Sequence, residues 1–552
     1  MAKPKLSGSN SVAAGIFLSR IAGLVREQAI VVVLGFSATA SAFRFAMRIP
    51  NLLQNLLGEG ALSASFIPVY AKLVEDGKTA AASKLAKQVV TWLAGITTLI
   101  VAGFVIFAEQ IVRLFTSWES DAELLSTATT LVQITSVGIG FLVASAWCLG
   151  IQNSHRKFFL SYVAPTIWNL VQIAVLAFAI IRGLGLTTTG TALGIAVIVG
   201  SFAQLAVQLP TTFKLLGKHE TDEDISGYLG DVARRFLPAV GARGVIQISS
   251  YVDTALAAAV SVATLSLYAA SLPLYLLPIS LFAFSIAAAE LAEMSRISDS
   301  IEQVQVRLTA AMRKVSLPAA FTTVLFLTSA TLIVDGLYGF PRRIINSITG
   351  DDAAEAFFGP DQTLVIGIVL ATFAIGLPAA MRSRIVQNTL YSLGDVKGPA
   401  KIAIFRLIAV LGFSSLLMFQ LDWAFVENQQ VDFSEAFEAS PYSRVAEDVR
   451  LDEASSPRLG AVGLALGASL ASWVEYGLLL VLLKRKGLSA STGQGTKIAI
   501  AALTAGAVML GVRLLEFLPS PIDIAIVGLL GLATFYGVLR AFGINLVAAL
   551  RS

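Results

Sequence analysis

Long hydrophobic stretches recur along the whole chain, separated by short segments that contain basic, acidic, glycine or proline residues. Most stretches approach the ~20 residues that an α-helix needs to cross the hydrocarbon core of a bilayer. Windows of about 19 residues predict about fourteen such helices. Their approximate limits are 11–35, 38–72, 84–112, 122–152, 157–181, 187–212, 231–261, 265–293, 306–337, 362–393, 398–420, 459–483, 496–517 and 522–545.

The second predicted span, 38–72, is long and contains Pro50, Gly58 and Gly60. Proline removes a backbone hydrogen bond from a helix, and glycine loosens the helix further. We therefore expect a kink or a break in this span rather than one straight helix.

The composition of the 552-residue chain agrees with this pattern, because 56% of residues are hydrophobic, only 14% are charged and the mean hydropathy is +0.76. A soluble protein cannot bury so much apolar surface, whereas a bilayer accepts it. The first hydrophobic segment carries Arg20, Arg26 and Glu27 and has no small-residue cleavage site, so we expect a retained helix instead of a signal peptide. The predicted fold class is an all-α polytopic membrane protein.

The sequence lacks the patterns that carry enzyme chemistry. Cys148 is its single cysteine, and His155 and His219 are its two histidines. It contains no nucleophile elbow, no Walker A sequence and no HExxH. We therefore expect a transporter with no catalytic residue, metal ion or cofactor, rather than an enzyme or an ATP-driven pump.

Lysine and arginine concentrate in the loops 72–87, 155–157, 214–235, 296–314 and 484–497. By the positive-inside rule these loops are cytoplasmic, which places both termini in the cytoplasm. The largest outer loop, about 421–457, is acidic. We expect a solvated spacer there, with a binding element as the alternative.

Charged residues inside the predicted spans point to function, because an arginine at the bilayer centre costs about 2.5–3.5 kcal/mol on insertion scales. In the first span Arg20 and Glu27 are seven residues apart and share a face, with Gly23 between them, whereas Arg26 projects elsewhere. One polar stripe with helical spacing follows the second span, and it must face protein or water. Its members are Ser41, Arg44, Arg48, Asn51 and Asn55.

Two interpretations of these arginines compete. They could pair internally with Glu27 and Glu59, or they could line a cavity for an anion. Arginines outnumber carboxylates in the first two spans, which favours a phosphate or diphosphate ligand that guanidinium groups bind in a bidentate manner. Glu27, Asp253 and Glu475 are candidates for coupling to H⁺ or Na⁺, although each also fits an ion-pair or helix-end role.

Several runs resemble the MurJ (MviN) family of lipid II flippases, so the chain is identified as a divergent member. The run Leu18–Glu27, LSRIAGLVRE, is similar to the first helix of that family. Further similar runs cover much of the remaining chain, and the one that begins at Arg48 is specific. They are Arg48–Leu53, Gly58–Ala61, Ser65–Val69, Asn153–Phe158, Ala164–Thr166 with Asn169, and Tyr391–Lys397 with Pro399.

The resemblance implies the fold of the MOP exporter superfamily, with two lobes of helices around a central cationic cavity. It implies an N-lobe over 1–216, and a C-lobe over 217–457 that includes the outer loop and is completed by span 459–483. In the remaining stretch, 458–552, the last two helices form a groove for a lipid tail. The implied substrate is lipid II, an undecaprenyl diphosphate with a sugar-peptide head group. The implied location is the bacterial cytoplasmic (inner) membrane, with membrane lipids and the cell-wall synthesis machinery as partners, no nucleic acid, and a monomeric state.

The resemblance also implies roles for individual residues. The head group and diphosphate would be held by Ser19, Arg20, Arg26, Arg48 and Asn51, and the hinge or cavity wall would contain Gly23, Pro50, Gly58, Glu59 and Gly60. The chain departs from the family pattern at three positions: Ser41 replaces an aspartate, Gln54 replaces a basic residue, and the position near Pro273 lacks an arginine. We hypothesise that Arg44 and Arg243, which are extra, replace the missing cations. The alternative is a different lipid-linked glycan, or a MurJ-like envelope scaffold that has lost transport.

The expected mechanism is alternating access, in which the lobes rock about the cavity. The membrane potential alone is worth about 2.3 kcal/mol per elementary charge per 100 mV, so it could drive the cycle without H⁺ or Na⁺. A drug antiporter of the same superfamily is disfavoured by the motif in the second span.

Overall fold

The computed structural model describes residues 8–217, 221–349, 359–440, 442–451, 456–515 and 519–545, which are almost entirely helical. Backbone contacts divide the chain into two compact units, Met1–Val262 and Ala263–Ser552. The limits predicted from the resemblance, at 216 and 457, stay predictions.

Helices account for the described part of the first unit. They are α1 Gly8–Leu34, α2 Ala38–Leu53, α3 Ser63–Glu75, α4 Thr79–Ile106, α5 Ala108–Phe115, α6 Ala122–Ser154, α7 Phe158–Arg182, α8 Leu186–Leu216 and α9 Ser226–Val260. Within this unit α1 packs on α7, α6 packs on α2, α4 and α8, and α9 packs on α3.

The second unit adds one small β-hairpin to its helices. Its elements are α10 Val262–Pro278, α11 Phe284–Arg296, α12 Ile301–Val334, α13 Phe340–Thr349, α14 Pro360–Ser392, α15 Lys397–Leu421, β1 Phe425–Glu427, β2 Gln430–Asp432, α16 Ser434–Glu438, α17 Glu447–Leu451, α18 Gly460–Arg485, α19 Gly495–Arg513 and α20 Ser520–Ala541. The central helix α14 packs on α12 and α18, and α18 packs on α15.

Each predicted span coincides with a helix or with consecutive helices, which confirms the all-α fold class. Among the described residues, eleven helices are long and apolar enough to cross a membrane. The three other predicted spans contain α1, α2 with α3, and α9. The helices α2 and α3 have only 16 and 13 residues, and α1 and α9 carry charged residues. These three spans contain the arginines predicted for the substrate site, Arg20, Arg26, Arg44, Arg48 and Arg243.

The second predicted span is interrupted as expected. The helix α2 contains Pro50 and ends at Leu53, and a π-helical segment, Gln54–Leu62, joins it to α3. Proline removes an amide donor from the regular ladder, and π-helical segments are often found at functional sites. Two shorter π-helical segments, Ile279–Ala283 and Asp335–Gly339, join α10 to α11 and α12 to α13.

Glycines let three helices of the second unit approach backbone to backbone. A Cβ atom added to Gly376 of α14 would lie 2.6 Å from the Ser469 Cα of α18. On the other side of α18, a Cβ added to Gly467 would lie 2.6 Å from the Ser414 Cα of α15. Any side chain larger than hydrogen would force these helices apart.

The outer loop contains regular structure, although most of its described acidic side chains are exposed, so the choice between a spacer and a binding element stays a prediction. Strands β1 and β2 pair antiparallel, with Val426 opposite Val431. The side chain of Gln420, in the last turn of α15, donates a 2.6 Å hydrogen bond to the carbonyl of Ala436 in α16. Backbone hydrogen bonds and side-chain donors therefore pair part of the polar backbone of the loop, despite its acidity.

Among the described acids of this loop Asp422 is the most deeply buried, with 2% of its surface exposed. The Arg458 guanidinium donates a 2.9 Å hydrogen bond to the backbone carbonyl of Asp422. The Oδ1 of the Asp422 side chain accepts no hydrogen bond from the described residues. Burial raises the pKa of Asp422 to about 7, and the positive charges of Arg458 and Arg450 oppose that shift. The loop therefore holds a carboxyl group that titrates near neutral pH.

Candidate functional site

A buried ion pair joins the first two helices. Arg44 of α2 and Glu27 of α1 are 7% and 8% exposed, and the Arg44 Nη1 donates a hydrogen bond to the Glu27 Oε1. The Arg26 Nη2 lies 3.9 Å from the other carboxylate oxygen. One carboxylate thus serves two guanidinium groups, which leaves a net positive charge at this point.

Arg26 also lies over the indole ring of Trp168 in α7, with 4.9 Å between its Cζ and the ring centroid. Such an arrangement stabilises a cation by about 0.5–2 kcal/mol, depending on how far it is desolvated. The Nε of Arg26, and the Nε and Nη2 of Arg44, are buried and have no hydrogen-bond partner in the described part of the chain. Buried donors of this kind are costly unless a ligand or water satisfies them.

Arg20 and Arg48 differ from Arg26 and Arg44, because neither makes an ion pair or a side-chain hydrogen bond among the described residues. Arg20 is exposed and Arg48 is half-buried. Along the polar stripe the burial decreases from Ser41 and Arg44, through Arg48, to the exposed Asn51. Two of the predicted cations are therefore held by protein and two are free to contact another molecule.

The remaining predicted positions of α1 contact α7. The Asn169 side chain donates to the backbone carbonyl of Ser19 at 3.5 Å and to that of Pro165 at 3.1 Å. A Cβ added to Gly23 would lie 3.9 Å from the Asn169 amide nitrogen. Ser19 therefore contributes its backbone to the contact between α1 and α7.

Ser41, where the resemblance implies an aspartate in the family, is fully buried. Its hydroxyl donates a 2.5 Å hydrogen bond to the backbone carbonyl of Val262, at the end of the first unit. The position therefore holds a neutral hydrogen bond and adds no negative charge one turn before Arg44.

The predicted hinge lies against α6. A Cβ added to Gly58 would be 2.8 Å from the Ala146 Cβ, so the π-helical segment needs glycine for this close approach. Pro50, one turn earlier than that segment, is buried. The structure does not describe the side chains of Glu59, Arg243 and Asp253, or the surroundings of Gly60. The roles predicted for these four residues therefore stay predictions.

A second charged cluster, which the sequence patterns did not bring together, lies in the second unit. The Arg406 Nε of α15 is 3.2 Å from the Glu475 Oε2 of α18. The Gln387 side chain of α14 donates to the Glu475 Oε1 at 2.7 Å and accepts from the Arg384 Nη1 at 3.0 Å. Glu475, predicted as an ion-coupling candidate, is therefore charge-paired and buried. The separate helices gave no sequence signal for this contact.

Comparison with known proteins places the chain in a family. The family model described as lipid II flippase MurJ matches residues 30–426. A probable lipid II flippase MurJ from Aquifex aeolicus is 27% identical over 416 residues, which are 74% of this chain and 77% of that protein. The lipid II flippase MurJ of Burkholderia cenocepacia is 27% identical over 399 residues, which are 71% and 74% of the two chains.

Solved structures agree on the fold. A lipid II flippase MurJ in an inward closed conformation has a TM-score of 0.74 at 21% identity, with 96% of this chain and 98% of that chain covered. An inward-facing multidrug resistance MATE transporter of the MOP superfamily has a TM-score of 0.63 at 13% identity, covering 85% and 94%. These similarities show a MOP-type transporter fold. The match of the family model over most of the sequence shows that the chain belongs to the MurJ family of lipid II flippases, which are multi-pass inner-membrane transporters of peptidoglycan biosynthesis and not enzymes.

Proposed function

We propose that this protein flips lipid II, the undecaprenyl-diphosphate-linked peptidoglycan precursor, from the inner to the outer leaflet by alternating access. One observation carries the proposal: four arginines lie on α1 and α2, and among the described residues one carboxylate, Glu27, contacts two of them, Arg26 and Arg44, while Arg20 and Arg48 have no described counter-charge. A diphosphate supplies the missing negative charge, and its oxygens suit the planar donor fork of arginine.

The four arginines would have different roles in binding. Arg44 is held by Glu27, whereas Arg20 and Arg48 have donors that no described residue uses. Arg26 is fixed by Trp168, so its guanidinium is oriented before the lipid arrives. A preoriented donor loses little conformational entropy on binding. Ser19 and Asn51 would contact the head group beside these arginines.

The π-helical segment after Pro50 is the element of the first unit best suited to absorb a conformational change. Its hydrogen bonds already deviate from the α pattern, and Gly58 permits close contact with α6. In alternating access, movement here would carry the phosphate-binding residues of α2 between the two sides. Gly23 and Gly60 would provide additional flexibility.

The proposed orientation has both termini in the cytoplasm, because the basic loops mark that side. The membrane potential is the proposed energy source, since the substrate is anionic and the cluster that receives it is cationic. Coupling to H⁺ or Na⁺ through Glu27, Asp253 or Glu475 is the alternative. The proposed partners are the lipid substrate, membrane lipids and the cell-wall synthesis machinery, with the protein as a monomer.

A second candidate function follows from the departures at Ser41, Gln54 and Pro273. The loss of an aspartate and of two basic positions changes the charge distribution of the site. Such a change would suit another polyprenyl-diphosphate-linked glycan, or would leave a scaffold without transport.

Complementation of a bacterial strain depleted of its own lipid II flippase tests the proposal. The wild-type chain should restore growth, and R20A and R48A should abolish rescue although neither change breaks a described contact. The matched control is R182A, which removes an exposed arginine at the end of α7 in the same unit. Immunoblots of membrane fractions establish that each variant inserts normally.

Failure of the wild-type chain to rescue, despite normal insertion, would contradict lipid II transport and favour the second candidate. Full rescue by R20A and R48A would contradict the assignment of the site while leaving the transport activity intact.

A further inference from the structure

We propose that Arg384 of α14 and Arg406 of α15 form a second binding site, on the second unit, for the phosphate group of a membrane lipid. The site uses only residues of that unit and shares none with the cluster on α1 and α2. If the lipid is a polyprenyl diphosphate, the site deepens the proposed function and rests on it; a phospholipid would bind independently of it.

The first observation is a charge imbalance in the middle of spanning helices. Arg382, Arg384 and Arg406 lie several residues inside the ends of α14 and α15, and Glu475 is the acid that contacts this group among the described side chains. Arg382 instead donates to a neutral group, the Ser316 hydroxyl, at 3.0 Å. Because each uncompensated arginine in a membrane is costly, this layer is short of negative charge.

The second observation is that donors in the cluster remain unused. Of the five N–H donors on Arg384, the one described hydrogen bond is from Nη1 to the Gln387 Oε1, and its Nε is buried without a partner. The Arg406 Nε is close to Glu475 but is not aligned for a hydrogen bond. Two guanidinium groups with free donors match the several oxygens of a phosphate.

Gln387 orients the cluster. Its amide nitrogen donates to Glu475, which leaves its amide oxygen directed at Arg384. Glu475 thereby positions one guanidinium through Gln387 while it neutralises the other. The charges of Arg384, Arg406 and Glu475 lie close enough to influence one another. The geometry is thus built by three helices rather than by one mobile side chain.

The cluster lies inside the spanning helices and borders an apolar surface. The Lys486 Nζ lies 3.7 Å from the Asp395 Oδ2, which fixes the end of α18 beside the turn between α14 and α15. Arg384, Arg406 and Glu475 are eight to ten residues from this common end, or roughly 12–15 Å along the helices. The Arg406 side chain is 32% exposed, and its neighbours Phe405 and Ile408 are 53% and 59% exposed. A surface of large apolar side chains in a membrane protein faces acyl chains, so the ligand that reaches Arg406 is a lipid.

Native mass spectrometry of the full-length protein, purified in detergent, tests the site. Undecaprenyl diphosphate, phosphatidylglycerol and inorganic diphosphate are each titrated against the wild-type chain, R384Q and R540Q. Arg384 is the residue to change, because Arg406 also neutralises Glu475. The control R540Q removes an exposed arginine at the end of α20 in the same unit.

We expect R384Q to weaken binding of one of the two lipids about tenfold, the effect of losing a hydrogen bond to a charged group, with no change in R540Q. Loss confined to undecaprenyl diphosphate identifies the polyprenyl lipid, and loss confined to phosphatidylglycerol identifies a phospholipid. Equal binding by R384Q and the wild type for both lipids overturns the site, as does an effect on inorganic diphosphate alone. If R384Q does not fold, R384K carries the test: it keeps the charge but loses the planar fork, and should weaken binding less.

The complementation experiment separates this inference from the proposed function. If R384Q loses lipid binding and the wild-type chain does not restore growth, the second site is supported and lipid II flipping is contradicted. If R384Q binds both lipids like the wild type and the wild-type chain restores growth, lipid II flipping is supported and the second site is contradicted.

Discussion

Glu27 and Arg44 form an ion pair between α1 and α2 at a point where both side chains are almost fully buried. Glu27 also lies 3.9 Å from Arg26, so a single carboxylate balances two cations. This asymmetry distinguishes the two partners: loss of Arg44 leaves a paired carboxylate, whereas loss of the Glu27 charge leaves two adjacent guanidinium groups.

We therefore expect E27Q to destabilise the protein more than R44Q. Breaking a buried pair typically costs about 3–5 kcal/mol, and E27Q should approach that range because like charges then face each other. Thermal unfolding of the purified protein in detergent measures the difference. The control is E109Q, which breaks the exposed pair of Glu109 with Arg113 and should cost about 1 kcal/mol or less. Equal losses in E27Q and R44Q would show that Glu27 does not serve both arginines.

The approach of Gly58 to Ala146 predicts a reciprocal size effect. G58A places two Cβ atoms about 2.8 Å apart, and overpacking of this kind costs about 1–3 kcal/mol. The double variant G58A/A146G moves the methyl group to the other helix and should recover most of the stability. Thermal unfolding and complementation are measured together, and the matched single change is A146G. If G58A is as stable as the wild type, the contact is not tight.

The buried carboxyl of Asp422 predicts that the outer loop is more stable in mild acid. Its pKa is raised from the ordinary 3.8 to about 7, so the native loop retains a proton that the unfolded loop has released. The stabilisation is thus full below about pH 4, declines as the pH rises to 7, and is absent above it. Amide hydrogen exchange of Val426 and Leu459, corrected for the intrinsic rate, should show greater protection at pH 5.5 than at pH 8.

The variant D422N stays neutral at every pH, so its loop should be equally protected at both values. D448N, which changes an exposed acid of the same loop, should keep the wild-type pH dependence. Persistence of that dependence in D422N would assign it to another group.

The partners of Glu475 predict a structural effect rather than an effect on coupling. Because Arg406 neutralises this carboxylate and Gln387 bonds to it, E475Q should lower the thermal stability but leave the dependence of transport on pH and Na⁺ unchanged. Transport by reconstituted protein is measured across Na⁺ concentrations and pH for both chains. If transport by E475Q no longer depended on pH or Na⁺, Glu475 would be a coupling residue after all.

Hydropathy and helix-breaking residues were sufficient to predict the helical segments, including the interruption after Pro50. They could not predict the partners of charged residues, because contacts such as Arg26 with Trp168 join residues far apart in the sequence. The acidic composition of the outer loop did not reveal its one buried described acid, Asp422, for a related reason. The burial of Asp422 depends on Arg458, which enters from the far end of the loop, and local composition does not encode that return.

The close backbone contacts at Gly376 and Gly467 restrict how α14, α15 and α18 can move past one another inside the second unit. If α18 slid along its neighbours by one residue, the side chains beside each glycine would collide with the opposing backbone. Such a helix has no low-energy neighbouring register, so α14, α15 and α18 have to travel as a block. The volume of the side chain at positions 376 and 467, and not its polarity, would therefore decide which residues are tolerated there. Serine and alanine would both be excluded.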